Sequence, residues 1–209
     1  MPPPELRWNR CHETRAAELI SGMSPATGVL CLWGAWFVSW IIAGVWSKRA
    51  VSAPRRGTQW LHSTFVYLGF AALVLPTFHL PLGPKLWRLP PAVSWGLVGI
   101  AGLGFGVAWW ARIHLGRDWS WVVTRKEDHR LVETGPYAWV RHPIYTGLII
   151  AAAATAVVEA KAPAPLGLVL FVAGLWMKAR LEERFLGAEL GEAAYGDYVR
   201  RTGMLLPGL

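Results

Sequence analysis

The run Ala26-Thr-Gly-Val-Leu-Cys-Leu-Trp-Gly-Ala-Trp-Phe-Val-Ser-Trp-Ile-Ile-Ala-Gly-Val-Trp46 contains no charged side chain. A bilayer hydrocarbon core is about 30 Å thick, and a helix needs about 20 apolar residues to cross it. This run meets that length by itself. Four more apolar runs follow, at Trp60–Leu80, Ala92–Ile113, Pro143–Val158 and Ala164–Met177. The second and third are also long enough to span. The last two are short, and Glu159-Ala-Lys-Ala-Pro-Ala-Pro165 joins them. That pair reads as a tight helical hairpin that reaches part way across, or tilts and thins the bilayer. The expected fold is all-α: a polytopic membrane protein with about five transmembrane helices.

Composition agrees with lipid as the solvent. Hydrophobic residues make up 54% of the 209, charged residues only 16%, and there are 14 Trp. Trp gathers at membrane interfaces, where an apolar ring and a polar N–H are both accommodated. The net charge of +8 would suggest nucleic acid in a soluble protein. Here the basic residues sit in short loops between apolar runs, so topology and anionic lipid headgroups explain them better. No nucleic-acid partner is expected. Cys11 and Cys31 form no disulfide framework and no metal-binding pair. No metal site is expected. The first 20 residues are polar, with Glu5, Glu13 and Glu18, and lack the apolar core of a signal peptide. Insertion is therefore expected to start at the first span.

Lys and Arg divide unevenly between the two sides. Lys48, Arg49, Arg55 and Arg56 lie between the first two runs. Arg112, Arg117, Arg125, Lys126, Arg130 and Arg141 lie between the third and fourth, and Lys178, Arg180, Arg184, Arg200 and Arg201 follow the fifth. The remaining six fall on the other side, a split of 15 to 6. The positive-inside rule then places the N-terminus outside and the C-terminus in the cytoplasm. Residues 1–25 read as a polar tail and 26–111 as three membrane helices. Residues 112–209 read as the chemical region, closed by a tail that is helical to about Tyr198 and amphipathic.

Two polar clusters stand out. His129-Arg-Leu-Val-Glu-Thr-Gly-Pro-Tyr-Ala-Trp-Val-Arg-His-Pro-Ile-Tyr-Thr-Gly147 has a turn at Gly135-Pro136, and Pro143 opens the fourth run. A helix start at that point presents free N–H groups to anions. Lys178-Ala-Arg-Leu-Glu-Glu183 puts two carboxylates at a basic face. By residue chemistry alone, the first cluster is a headgroup-binding loop or a ligand site. The second is a set of ion pairs or a site for a cation, amine or hydroxyls.

Leu131, Val132, Gly135, Tyr137, Arg141, His142, Pro143, Tyr145 and Gly147 resemble, in register, the signature of the isoprenylcysteine carboxyl methyltransferase family. Glu182-Glu183, Leu186, Gly191, Tyr195, Tyr198, Arg201 and Leu206-Pro207 resemble its closing segment. The resemblance covers roughly residues 112–209. It implies S-adenosyl-L-methionine as cofactor, and a cofactor-binding set of His129, Arg130, Leu131, Val132, Tyr137, His142, Pro143, Tyr145, Glu182 and Glu183. It also implies methylation of a lipophilic acceptor, a carboxylate first of all. The acceptor, a small molecule or a lipidated substrate, would enter from the bilayer. Arg141, Lys178 and Arg180 are the candidate catalytic cations that would hold it. Lys178 stands where eukaryotic members have an Arg, and Val122 where the family has a Gln. The alternatives are a phospholipid N-methyltransferase, an NADPH-dependent membrane reductase and a non-enzymatic lipid-binding protein. Gly102, Gly104 and Gly106 read as close helix packing, with cofactor contact as the alternative. His62, His79 and His114 are intramembrane ionisable groups. Trp119 and Trp121 are expected interfacial anchors, and Tyr195 and Tyr198 packing residues. The short chain suggests a prokaryotic inner membrane.

Overall fold

The computed structural model describes residues 22–45, 50–52, 56–78, 83–116, 125–126 and 132–208. Within them the chain forms six helices: α1 Pro25–Gly44, α2 Arg56–Val74, α3 Pro91–Leu115, α4 Pro143–Glu159, α5 Pro163–Leu190 and α6 Glu192–Arg201. Proline opens four of these helices. Its fixed φ suits the first helical position, where its missing N–H would have had no helical partner. Ser24 caps α1, its hydroxyl accepting from the Thr27 N–H at 3.1 Å. A short 3-10 turn, Leu75–Phe78, extends α2. Two short strands, β1 Ala50–Ser52 and β2 Arg125–Lys126, pair antiparallel, with Ala50 opposite Lys126. They join two of the loops that charge counting puts on one side of the membrane.

The protein is an all-α polytopic membrane protein. Helices α1, α2, α3 and α5 are long and apolar enough to cross a bilayer, and α4 is shorter. Its 17 residues reach about 25 Å. The fifth helix corrects the expectation of a short hairpin. It does not stop near Met177 but continues unbroken to Leu190, 28 residues in all. Backbone hydrogen bonds within a helix are satisfied whether or not its side chains remain apolar. The helix therefore carries Lys178–Glu183 out on the same rod. It ends at Gly191, whose φ of 86° side-chain-bearing residues rarely adopt.

Helix α4 occupies the centre, lined by small residues that let neighbours approach. Gly147 lies against Gly104 of α3, where an added Cβ on Gly104 would sit 2.5 Å from the Gly147 carbonyl oxygen. Gly69 of α2 and Gly167 of α5 meet in the same way. Gly102 and Gly106 face open space, so of the three clustered glycines only Gly104 serves packing. Trp33 of α1 is the hub of the core. Its ring makes edge contacts with Phe70 of α2, Phe105 of α3 and Phe171 of α5, with centroids 4.9, 4.8 and 6.1 Å away. Its indole N–H donates to Thr155 Oγ1 of α4 at 3.0 Å. One residue thus touches every other long helix. Outward side chains such as Phe37, Ile42, Leu68, Leu103 and Val169 are exposed and apolar, as lipid requires.

The two ends of the bundle differ. At one end, Thr77 donates to the buried Glu159 at 2.7 Å and the Leu86 N–H donates to the Ala160 carbonyl at 2.6 Å, sealing the α4–α5 turn. At the other end, the last turn of α3, the start of α4, the second half of α5 and all of α6 converge.

Candidate active site

The converging end is built on the approach to α4. A 3-10 turn at Gly135–Ala138 buries Tyr137. Gly135 takes a φ of 60° with the His114 ring directly against it, so no side chain fits there. Residues 139–142 then run beside the C-terminal segment, and Val140 bridges Gly203 in parallel. The Arg141 N–H donates to the Gly203 carbonyl at 2.8 Å, and the His142 N–H donates to that of Met204 at 3.1 Å. The Thr146 hydroxyl, one turn into α4, donates to the Leu205 carbonyl at 2.7 Å. Tyr195 and Tyr198 of α6 are buried beneath this strap, and the Tyr198 hydroxyl donates to the Tyr137 carbonyl at 2.8 Å.

Glu182 and Glu183 of α5 complete a polar cluster within this frame. The Tyr145 hydroxyl donates to Glu182 Oε1 at 2.7 Å. His142 Nδ1 lies 3.4 Å from Glu182 Oε2, and its Nε2 lies 3.4 Å from Glu183 Oε1. The His142 and Tyr145 rings stack at 5.3 Å with 3° between their planes. Arg141 Nε donates to Glu183 Oε1 at 2.6 Å, and its NH1 donates to the carbonyls of Val199 and Thr202. Lys178, one turn before Glu182, holds its ammonium 5.5 Å from the Tyr145 ring centroid.

The electrostatics favour charge at this spot. Burial disfavours a charged His142, but the adjacent carboxylates of Glu182 and Glu183 outweigh it and raise the imidazole pKa above 6.5. Burial first and Glu182 second push the Tyr137 phenol upward. Burial likewise pushes Tyr198 up to about 12. Both phenols therefore stay neutral donors near pH 7. His142 Nε2 is buried and, though near Glu183, lacks hydrogen-bond alignment, so it has no hydrogen-bond partner among the described residues. A buried donor left unmade costs about 1–3 kcal/mol, and a ligand acceptor would relieve that. The Glu182 side chain keeps 22% exposure against 12% for Glu183, so it is the more open of the two carboxylates.

Of the expected cofactor set, Tyr137, His142, Pro143, Tyr145, Glu182 and Glu183 come together, with Val132 packed half-buried alongside the core. His129, Arg130 and Leu131 lie outside the described residues, as do His79, Trp119, Trp121 and Val122. The three candidate catalytic cations separate. Lys178 shares the face of Glu182. Arg141 is occupied by Glu183 and two backbone carbonyls, which makes it the clamp of the C-terminal strap. Arg180 is not brought to the cluster. It lies exposed on the opposite face of α5, its guanidinium carbon 5.2 Å from the Trp176 ring centroid. Two residues along a helix is about 200° of rotation, which is the physical reason. Thr146 was not anticipated, and a threonine in a first helical turn carries no signal of its own. His62 is buried within α2, its carbonyl close against Gly174 of α5.

The sequence profile of the isoprenylcysteine carboxyl methyltransferase family matches residues 97–187, which include the start of α4, Lys178 and the Glu182-Glu183 pair. The chain is 39% identical over 98 residues to the protein-S-isoprenylcysteine O-methyltransferase of Saccharomyces cerevisiae, covering 44% of this chain and 39% of that protein. It is 33% identical over 172 residues to the methanethiol S-methyltransferase of Mycobacterium tuberculosis, covering 69% of this chain and 63% of that one. It is 31% identical over 162 residues to methanethiol S-methyltransferase 2 of Bradyrhizobium diazoefficiens, covering 70% of this chain and 60% of the relative. The chain thus spans less than two thirds of the length of each of these relatives. With its membrane helices and its two flanking polar segments in register, this integral membrane protein carries, at residues 97–187, the region that matches the isoprenylcysteine carboxyl methyltransferase family.

Proposed function

We propose that this protein is a membrane-embedded methyltransferase that uses S-adenosyl-L-methionine and methylates an anionic acceptor, a lipophilic carboxylate first of all. The observation that carries the reading is the buried His142–Tyr145–Glu182–Glu183 cluster, with His142 Nε2 lacking a hydrogen-bond partner among the described residues and Lys178 on the same face. The donor set fits the cofactor. Glu182 is reachable by an amine or by ribose hydroxyls, and His142 offers a buried N–H. When bound, S-adenosyl-L-methionine supplies a methyl group on a positively charged sulfur.

The chain's own part is alignment and charge. Tyr145 fixes the Glu182 carboxylate by its hydroxyl, and Arg141 ties the strap and Glu183 to the start of α4. Holding two reactants in register supplies a large share of such a rate. A carboxylate acceptor is already ionised at pH 7, so no general base is required. Lys178 would hold the acceptor as a point charge, without the fork of an arginine. The site end faces the cytoplasm on this reading, from the 15 to 6 split of basic residues. The cofactor would enter from the water and the acceptor from the bilayer.

A second acceptor, a thiol, is favoured by one observation. The two methanethiol S-methyltransferases match 69% and 70% of this chain, against 44% for the isoprenylcysteine enzyme. Calorimetry with S-adenosylhomocysteine tests the cofactor, and absence of heat would sink that part. Transfer of labelled methyl to a prenylcysteine carboxylate, a short alkyl thiol or phosphatidylethanolamine then separates the acceptors. Labelling of the amine lipid alone would overturn the anionic-acceptor reading.

A further inference from the structure

The outer face of α5 carries a stripe that this site does not use. Trp176, Arg180 and Arg184 follow one another at four-residue spacing, and all three are exposed. The same stripe continues toward the other end of the helix as Val169 and Leu166, 64% and 59% exposed. Along one face the side chains therefore pass from aliphatic to indole to guanidinium. A bilayer presents its layers in that order: acyl chains, interface, phosphates. One turn separates Trp176 from Arg180, a rise of about 6 Å, which matches the thickness of one headgroup layer.

The two arginines are available. The Arg180 guanidinium stacks on Trp176, which orients its plane and leaves its N–H edges open. Neither Arg180 nor Arg184 has a hydrogen-bond or ion-pair partner among the described residues. Arg141, which precedes α4 and meets the inner side of α5, is by contrast spent on Glu183. Two adjacent cations with no partner among the described residues, on a chain of net charge +8, call for a ligand with net negative charge. A zwitterionic headgroup brings its own cation and answers that demand poorly.

We propose that Trp176, Arg180 and Arg184 bind the phosphate of an anionic phospholipid on the outer face of α5, back to back with Lys178 and Glu182. Arg180 is then a lipid ligand rather than a holder of the methyl acceptor. The proposal does not depend on the methyltransferase reading.

The test uses the full chain, purified in mild detergent and given phosphatidylglycerol or phosphatidylcholine, with native mass spectrometry counting the lipid retained. The wild type should retain phosphatidylglycerol in preference to phosphatidylcholine. The double variant Arg180→Gln/Arg184→Gln should bind phosphatidylglycerol about thirtyfold more weakly, about fivefold per arginine. Equal retention of the two lipids by the wild type would overturn the proposal. So would undiminished phosphatidylglycerol retention by the double variant. The wild-type comparison stands alone if the variant fails to fold, and far-UV circular dichroism reports whether it does.

Discussion

Replacing Gly104 with alanine tests how the helix seam governs the site. The added Cβ would lie 2.5 Å from the Gly147 carbonyl oxygen, 2.9 Å from the Ala151 nitrogen and 3.3 Å from the Ala151 Cβ. Ordinary contact begins at 3.4 Å, so α3 and α4 must separate by about 0.9 Å. The obstacle is backbone, which no rotamer change can move aside. Overpacking of this kind costs about 1–3 kcal/mol. The larger effect should be functional. Gly147 lies two residues after Tyr145 and five after His142 on the helix being displaced. A shift of about 1 Å at a reacting centre costs on the order of a hundredfold in rate. Gly102→Ala and Gly106→Ala meet nothing within 4 Å and provide matched controls. Alanine is also the better helix former, so those two variants should be neutral or slightly stabilised. The assay pairs tryptophan-fluorescence melting with calorimetric affinity for S-adenosylhomocysteine. Gly104→Ala should lower both, and the controls should lower neither. If Gly102→Ala weakens cofactor binding as much as Gly104→Ala does, the glycines contact ligand and the seam argument is wrong.

Other outcomes follow from the same geometry. Arg141→Lys keeps the charge but loses the fork that reaches Glu183, Val199 and Thr202 together, so amide exchange should speed up through residues 198–205. Unchanged protection there would refute the clamp. The raised pKa of His142 means that its stabilising contribution is fully present below about pH 6.5 and is lost as pH rises through the raised value. The difference in melting temperature between the wild type and His142→Gln should therefore shrink with increasing pH, and a difference constant with pH would count against the ion-paired cluster. Thr155→Val removes the acceptor of the Trp33 indole at the hub of all five long helices and should cost about 1 kcal/mol. No change in thermal stability would show that the indole N–H finds another partner.

The linear chain by itself determined how many helices enter the membrane and which loops share a side. Desolvating an unpaired backbone is so costly that some twenty apolar residues settle a span locally. The Lys and Arg bias between spans groups the loops, and β1 pairing with β2 joins two loops of one group. The polar clusters at residues 135–147 and 178–183 were legible too, because ionisable residues beside a membrane need a reason to be there.

Only the tertiary structure decided what each charge does. Apolar composition marks where a helix leaves lipid and not where it ends, so the helical tail expected after Met177 is continuous with α5 as far as Leu190. Once Lys178, Arg180 and Glu182 ride one rod, helical rotation alone sends Arg180 to the outer face and keeps Lys178 with Glu182. The tie between Arg141 and Glu183, and that between Thr146 and Leu205, join residues 42 and 59 positions apart. Chain order carries no record of such pairings. They arise when α4 and α5 pack around small residues and bring the ends of the two helices together, and that packing made one buried polar cluster out of two separate polar segments.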